Sequence, residues 1–381
     1  MAADAARLLG ERIRGVPRLR QRLHGATRPY WADDPEFDLG AHVREVRCPP
    51  PGDERALLDV AAAELERPLP RSRPLWSAVF VTGLASGGTG LVIVVDHVLA
   101  DGVAGLAVLA SLLDPADPVP GDLQHAAGRA RGARGLRRGV AELGGVRGPR
   151  RLARSSLNRP TGPRRRLDVV DADLAAVRAF AHAHGGTVND VVLAMVAGGL
   201  RDLLASRGET LDRVTISVPV SARRGTDSGR LGNQVGVMPV AVPCDGGLGA
   251  RVSAVAAITR ERKSRAPGAS AALLVPAFLL LARVGLLGWF VNRQRLVHTV
   301  VTNLRGPRQP LAFGGAPVRA VIAIPSTTGN VIVTFGALSY AGTLRITVLS
   351  DPSQMPDVAV LTAALNAALA AIPTPPAPAS S

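Results

Sequence analysis

The sequence predicts an α/β (α+β) protein, and two observations carry this prediction. Predicted strands and helices interleave along both halves of the chain, as they do in mixed α/β folds. The strands SAVFVTGL and GLVIVVD, at 77–84 and 90–96, are apolar runs without alternation, which is typical of a sheet covered on both faces. At about 100–200 residues per domain, a chain of 381 residues corresponds to two domains or one large one.

The composition excludes some classes of protein and leaves others open. Hydrophobic residues make up 47% of the chain and charged residues 20%, so wholesale disorder is excluded. The chain has 45 basic and 30 acidic residues, a net charge of +15, which favours contact with nucleic acid, anionic lipid or a phosphate-bearing ligand. The basic residues are almost all arginines, with Lys263 as the only lysine, and this bias can alternatively reflect a GC-rich genome. Two distant cysteines, Cys48 and Cys244, exclude disulfide and four-thiol zinc scaffolds.

The first predicted domain covers residues 1–127. An amphipathic helix is expected first, and Asp53 is placed to cap a second helix. Two strands follow around the glycine-rich turn ASGGTG, and an apolar helix comes after them. The predicted elements are a helix at 5–24, a strand entry at 35–47, a helix at 53–66, strands at 77–84 and 90–96, and a helix at 103–113.

A basic linker is predicted at residues 128–166. It contains 13 arginines against one acidic residue, Glu142, with glycines and prolines scattered between them. A solvated helix face and a patch for a membrane surface or a phosphate both remain open for this segment.

The second predicted domain covers residues 167–373, and a disordered Pro/Ala/Ser tail follows at 374–381. Thr187 or Asn189 can cap its long helix. The uncharged run at 266–282 favours a buried or interfacial helix over a transmembrane one. The expected elements are a strand and helix over 167–186, a helix over 187–208, strands over 214–223 and 233–243, a helix over 250–264, strands over 296–304, 318–325, 330–342 and 343–351, and a helix over 356–372.

The strongest candidates for catalytic residues lie in the segment DHVLADG at positions 96–102, directly after a predicted buried strand. His97 leaves that strand where a loop and a helix begin, so its ring can reach a crevice. Asp101 is near enough to fix the tautomer of the ring or hold the loop, and Gly102 permits a tight backbone. On spacing alone, a structural histidine and a general base both remain open.

The segment belongs to a set of blocks that resembles one family in order over nearly the whole chain. The blocks are DPEFDLGAHVR (34–44), PLWSAVFVTGL (74–84), DHVLADG (96–102), VNDVVLAMVAGGLR (188–201), VPVSARR (218–224), GNQVGVM (232–238), VTNLRGP (301–307) and LSYAGTL (338–344). The family that they resemble is the bacterial wax ester synthase/diacylglycerol acyltransferases, of the HHxxxDG superfamily with chloramphenicol acetyltransferase, carnitine acyltransferases and nonribosomal condensation domains.

The resemblance implies two chloramphenicol-acetyltransferase-like domains with mixed sheets and a crossover linker, and a reaction centre at their interface. His97 would be the general base that activates an acceptor hydroxyl against an acyl-CoA thioester, with no covalent acyl-enzyme. Asp101 would orient the loop. Asn303 or backbone amides would stabilise the oxyanion, although a turn residue explains Asn303 equally well. Asn189 and Asp190 carry over from the family's ND motif, and helix capping is their alternative interpretation.

Two departures from the family pattern stand out. The first histidine of HHxxxDG is Asp96 here, whereas the second is retained as His97. Asp96 either favours the imidazolium form of His97 or points away from it. We expect the second and an active enzyme, because adjacent residues of a strand face opposite sides. The family also usually has a further strand and helix before the region matching residue 5. A downstream start codon and a shortened family member both explain this.

We expect no cofactor other than acyl-CoA as substrate, and no metal, because His42, His182 and His184 lack other ligand residues nearby. The expected substrates are fatty acyl-CoA and either diacylglycerol or a long-chain alcohol. We expect a cytoplasmic protein that is peripherally associated with a membrane or a lipid droplet. Nucleic acid is not expected, because aromatic residues make up 3% of the chain. A catalytically degenerate lipid-binding or lipid-droplet protein, and acyl transfer to another hydroxyl or amine, are the alternatives.

Overall fold

The computed structural model describes residues 2–25, 29–99, 102–114, 152–221, 235–265, 285–327 and 329–373. We refer to residues 2–114 as the first half and residues 152–373 as the second half. The strands of the first half are β1 (Gln21–His24), β2 (Tyr30–Asp33), β3 (Val43–Arg47), β4 (Trp76–Thr82) and β5 (Gly90–Val95). Its helices are α1 (Ala2–Ile13), α2 (Glu54–Leu65) and α3 (Gly102–Leu112).

The second half contains a larger sheet and the longer helices. Its strands are β6 (Arg166–Asp173), β7 (Arg213–Ser221), β8 (Val235–Pro243), β9 (Thr299–Arg305), β10 (Ala312–Phe313), β11 (Ala316–Pro317), β12 (Val333–Tyr340) and β13 (Thr343–Ser350). Its helices are α4 (Leu174–Ala183), α5 (Val188–Ser206), α6 (Leu248–Arg265), α7 (Leu287–Val291) and α8 (Val358–Ala370).

The sheet of the first half has the order β3-β4-β5, with β3 parallel and β5 antiparallel to β4. Successive side chains of a strand face opposite sides. Trp76 and Phe80 of β4 therefore pack with α1 and α3, whereas Val79 and Val81 pack with α2. All of these side chains are buried, as predicted for β4, whereas β5, for which the same was predicted, is half-buried apart from Val92. Asp53 caps α2, as predicted, by accepting from the backbone N of Ala56 at 2.9 Å.

The predicted helix at 5–24 is wrong beyond its first part. Helix α1 ends at Ile13, and a short 3-10 helix spans Pro17–Arg20. Proline cannot donate a backbone hydrogen bond within a helix, so Pro17 is tolerated where it opens this new turn. The chain then enters β1, which pairs antiparallel with β2 as a separate hairpin.

The sheet of the second half has the order β6-β13-β12-β9-β7-β8 and mixes parallel and antiparallel pairs. One face packs against α4, α5 and α8 to form the largest core cluster. Leu167 and Leu349 lie on the other face and join the cluster around α2 of the first half. The two halves therefore share apolar core across their contact.

The strand predicted at 318–325 is also wrong, because the chain there adopts no regular secondary structure. β12 is already paired on one edge with β9 and on the other with β13, so no edge is left beside it. The segment instead lies over the sheet, where the carbonyl oxygen of Ala323 is 2.5 Å from the position that a Cβ on Gly336 would take. Ile322 and Ile324 pack in the cluster shared by the two halves.

Hydrogen bonds also join the halves. Arg55 Nη1 on α2 donates to the carbonyl oxygen of Leu167 at 2.6 Å and to Asp168 at 3.1 Å. Arg345 on β13 forms ion pairs with Asp171 and with Glu54 of the first half. These contacts fix α2 along the edge strand β6. The predicted limits of the linker, 128–166, stay a prediction, because much of it falls outside the described residues.

No helix within the described ranges is both long and apolar enough to cross a membrane. The apolar run predicted at 266–282 lies outside those ranges.

Candidate active site

His97 lies in the turn that ends β5. The backbone N of Asp96 donates to the carbonyl oxygen of Leu75 at 3.0 Å, one residue beyond the pair of Val95 with Trp76 in the sheet. The backbone N of Leu99 then donates to the carbonyl oxygen of Asp96 at 2.9 Å and closes the turn. Leu99 is fully buried in the core against α1 and α3. The turn is thus anchored on both sides of His97, whose side chain is exposed.

The carboxylate of Asp96 is used within the same turn. Its Oδ1 accepts from the backbone N of Val98 at 2.9 Å. An aspartate that caps the backbone two residues ahead is a common turn device. Asp96 therefore has a local structural role in a place where the family pattern has a histidine.

The last residues of the motif precede helix α3, which contacts the second half of the chain. Asp101 falls outside the described residues, so the structure does not place its side chain. Gly102 is the first residue of α3, one position before the start of the helix predicted at 103–113. Helix α3 lies beside β9, so the helix that follows the His97 turn contacts the strand that carries Asn303.

Asn303 and Asn189 come together although 114 residues separate them. Asn303 Nδ2 donates to Asn189 Oδ1 at 3.4 Å. Asn303 lies near the end of β9, and Asn189 lies in the first turn of α5. Both side chains are half-buried. The VTN and VND blocks of the sequence therefore form one polar pair.

Asp190 has a capping role. Thr187 is the N-cap of α5 and accepts from the backbone N of Asp190, while Asp190 Oδ2 accepts from the backbone N of Thr187 at 2.8 Å. Its other carboxylate oxygen, Oδ1, accepts from Thr259 Oγ1 at 2.9 Å. Both oxygens of this buried carboxylate are thus bonded, so Asp190 orients the start of α5, and with it Asn189.

His42 is buried against Trp76 of β4. Its Nδ1 lies 2.8 Å from the carbonyl oxygen of Trp76, and its ring stacks on the Trp76 ring at a centroid distance of 4.5 Å. Burial is the main cause that lowers the pKa of His42. Trp76 Nε1 donates to the carbonyl oxygen of Leu19 at 2.7 Å, so this tryptophan is a core residue.

His298 was not singled out by the sequence analysis. It is buried directly before β9, and its Nδ1 accepts from the backbone N of Thr215 at 2.9 Å. Burial lowers its pKa to about 4. The strand pattern LVHTVV could have revealed a histidine within a buried strand, but not its bond to β7.

Within the described ranges, no three His, Cys, Asp or Glu side chains are grouped so that they could hold a metal ion. Cys48 and Cys244 are both buried free thiols, and burial raises the pKa of each.

The fold matches those of solved acyltransferases and related domains. A wax ester synthase/diacylglycerol acyltransferase from Marinobacter aquaeolei VT8 superposes with a TM-score of 0.70 and 24% identity, over 92% of this chain and 84% of that one. The first condensation domain of the calcium-dependent antibiotic synthetase gives a TM-score of 0.64 and 17% identity, over 99% and 89%. The predicted chloramphenicol-acetyltransferase-like fold is thereby confirmed.

The sequence comparisons identify the family. Residues 3–139 and 119–192 match the wax ester synthase/diacylglycerol acyltransferase catalytic domain, and residues 231–373 match the C-terminal domain of the same family. The Mycobacterium tuberculosis (strain H37Rv) protein named probable diacylglycerol O-acyltransferase tgs1 is 29% identical over 408 residues, covering 95% of this chain and 86% of that protein. Another protein of that strain with a diacylglycerol O-acyltransferase name is 32% identical over 350 residues, covering 79% and 75%.

The chain therefore belongs to the wax ester synthase/diacylglycerol acyltransferase family, as its motifs predicted, and it is an acyltransferase.

Proposed function

We propose that this enzyme transfers a long-chain fatty acyl group from acyl-CoA to the hydroxyl of diacylglycerol or a long-chain alcohol, with His97 as general base. The observation that carries the proposal is the His97 turn. It presents an exposed imidazole at the end of the half-buried strand β5 and is held by Leu99 on one side and by the Asp96 cap on the other. The family relationship supports acyl-CoA and diacylglycerol or alcohol as substrates.

In the proposed reaction, a ring nitrogen of His97 accepts the proton of the acceptor hydroxyl while its oxygen forms a bond to the thioester carbonyl carbon. The carbonyl π electrons move to oxygen and give a tetrahedral oxyanion. The oxyanion collapses, the C–S bond breaks, and the departing CoA thiolate takes the proton from the imidazolium. The products are an ester and free CoA thiol. No covalent acyl-enzyme is needed, because one base serves both proton transfers.

We propose that the Asn189–Asn303 pair supplies the donors for the oxyanion. The bond from Asn303 to Asn189 Oδ1 orients Asn189 and leaves the NH₂ group of Asn189 able to donate elsewhere. The pair lies at the N-terminus of the 19-residue helix α5, where the helix dipole favours a negative charge. Asp101 is proposed to orient the His97 loop, as the family resemblance implies.

Because acceptors of this kind are insoluble in water, we propose that the enzyme works in the cytoplasm, in peripheral contact with a membrane or a lipid droplet. The net charge of +15 supports attraction to an anionic lipid surface.

His97 is tested by replacing it with alanine and measuring CoA thiol release from palmitoyl-CoA, with hexadecanol or dioleoylglycerol as acceptor. General-base assistance contributes roughly 10²–10⁴-fold to a rate. We therefore expect acceptor-dependent release in the wild type, and a loss of that order in His97→Ala.

His182→Ala is the matched control, because His182 is an exposed histidine on α4. It should release thiol at the wild-type rate. Equal activity in wild type and His97→Ala would overturn the general-base assignment. A folded wild type without release on either acceptor would instead favour the degenerate lipid-binding protein, and release with a different hydroxyl or amine acceptor alone would redefine the substrate.

A further inference from the structure

An exposed apolar cluster surrounds α7. Leu286, Trp289 and Leu296 have exposed fractions of 49%, 58% and 42%. They are three of the six large apolar side chains that are exposed in the described part of the chain. Because single exposed apolar residues are normal on protein surfaces, a group of three within eleven positions is the feature that needs an explanation.

Arginine accompanies the apolar side chains. The guanidinium of Arg293 lies over the ring of Trp289, 5.6 Å from its centroid. A second segment runs beside this one: the backbone N of Leu152 donates to the carbonyl oxygen of Arg295 at 3.1 Å, and Asn158 Nδ2 donates to the carbonyl oxygen of Val297 at 3.0 Å. Residues 285–297 and 152–159 thus form one surface, which we call the Trp289 surface.

The charged residues within the two segments of the Trp289 surface are all arginines. Residues 152–159 add the exposed Arg154 and Arg159, and neither segment contains an aspartate or a glutamate. The carboxylate of Glu209 contacts this surface from outside the two segments, and its Oε2 accepts a hydrogen bond from the backbone N of Ser156 at 2.9 Å. An anion that approached the surface would therefore meet a cationic face with an aromatic ring among its charges.

This combination selects one kind of partner. Tryptophan places its apolar ring and its polar N–H at the level of lipid headgroups, and arginine beside it binds anionic phosphate. We propose that the Trp289 surface is where the enzyme docks on anionic phospholipid, with Trp289 in the headgroup layer and Arg293, Arg154 and Arg159 on lipid phosphates. The proposal rests on the proposed function, because it assigns the contact through which lipid acceptors are reached.

The test is flotation of the full-length protein with vesicles of phosphatidylcholine alone and of phosphatidylcholine with phosphatidylglycerol. Wild type should float with the mixed vesicles and much less with the neutral ones. Each arginine near an anionic membrane is worth a factor of about five in binding. Arg293→Gln with Arg154→Gln should therefore lower the partition coefficient about 25-fold, and Trp289→Ala should lower it about tenfold by removing buried apolar area.

The matched controls carry the same chemistry elsewhere on the surface. Tyr30→Ala removes an aromatic side chain that is 59% exposed on β2, and Arg178→Gln removes an exposed arginine on α4. Both should float like wild type. Thermal melting of every variant separates lost docking from lost folding.

Three results would overturn the docking assignment. The first is that the wild-type protein does not float, and the second is that the Trp289→Ala variant floats as well as the wild type. The third is that the wild type is a dimer in solution and Trp289→Ala dissociates it, which would assign the surface to a second copy of the chain. Thiol release by wild type on detergent-dispersed dioleoylglycerol is measured separately. If the wild type releases no thiol, this would count against the proposed acyl transfer. If it releases thiol but does not float, this would count against the docking surface alone.

Discussion

His298 illustrates how a buried titratable residue limits the stability of this fold. The backbone N of Thr215 donates to its Nδ1, so the ring proton of the neutral histidine lies on Nε2. That Nε2 finds no hydrogen-bond partner among the described residues. A charged imidazolium would lose both water and the Thr215 bond, which explains why burial lowers its pKa from 6.5 to about 4.

We predict that acid destabilises the protein through His298. Between pH 6.5 and about 4 the unfolded histidine binds a proton that the folded one does not, so the free energy of unfolding falls as the pH falls. The shift corresponds to at most about 3 kcal/mol. His298→Asn keeps an acceptor for the Thr215 amide and cannot titrate. Urea unfolding from pH 7 to pH 4 should give a shallower pH dependence in this variant, and parallel curves would contradict the assignment.

The site residues were predictable to different degrees. His97 is recognisable from sequence because its motif is continuous and follows an apolar strand. The contact between Asn189 and Asn303 is not, because it depends on how β9 and α5 pack across 114 intervening residues. Sequence reasoning left Thr187 and Asn189 both open as the cap of α5, and the structure assigns the cap to Thr187. That assignment frees Asn189 for a role in the pair.

At the scale of elements, the packing of α6 on α5 depends on a missing side chain. Arg251 of α6 is buried and donates from Nε to the carbonyl oxygen of Ala194 at 3.1 Å and from Nη1 to that of Gly246 at 2.5 Å. A Cβ on Gly198 would lie 2.5 Å from Nη2 of this guanidinium. Burial is the main cause that lowers the pKa of Arg251, so its carbonyl partners are what keep the charge tolerable.

We predict that Gly198→Ala destabilises the fold by about 2 kcal/mol, because the added methyl group displaces a buried guanidinium from its acceptors. Ordinary helix propensity would predict the opposite sign, since alanine is favoured over glycine by about 1 kcal/mol in a helix. Gly105→Ala is the matched control: Gly105 lies in α3, and its Cβ would meet nothing within 4 Å. Denaturant unfolding should show a loss for the first variant and none for the second.

The elements themselves were largely predictable where the pattern is local. Helix α2 was predicted from the cap residue Asp53 and the helical spacing of apolar residues. Strand β4 was predicted from an apolar run, and its side chains are buried on both faces of the sheet. The predicted helix at 5–24 was wrong because Pro17 outweighs the apolar periodicity. The apolar run at 318–325 has the composition of a strand, but strand formation also requires a free sheet edge, and the edges of β12 are taken. Edge occupancy is a property of the assembled sheet.

At the scale of the whole molecule, Asp114 joins the two halves. Its backbone N donates to the carbonyl oxygen of Ala312 at 2.8 Å, and its carboxylate accepts from the backbone N atoms of Gly314 and Gly315 at 2.8 Å each. Arg12 of α1 forms an ion pair with the same carboxylate and is the main cause that lowers its pKa. The hairpin of β10 and β11 is thereby fixed to α1 and α3, and Phe313 enters the first-half core.

We predict that Asp114→Ala lowers the free energy of unfolding by about 2 kcal/mol, the usual magnitude for hydrogen bonds to a charged group. It should also lower the acyl-transfer rate, because α3 begins directly after the His97 loop. Asp212→Ala, at an exposed aspartate outside this contact, should leave both quantities unchanged. Urea unfolding and thiol release on the same preparations check this, and an Asp114→Ala protein as stable as wild type would contradict it.

The Asp114 contact also affects the order in which the newly made chain completes its structure. Asp114 and its partners Gly314 and Gly315 lie 200 and 201 residues apart. At about 5–20 residues per second, the ribosome needs roughly 10–40 s to synthesise the intervening chain. Throughout that interval Phe313 is not yet available to pack against the core of the first half, and the amides of Gly314 and Gly315 are not yet available to the Asp114 carboxylate. The residues of the His97 turn are thus synthesised early, whereas the glycines that support the following helix through Asp114 are synthesised late.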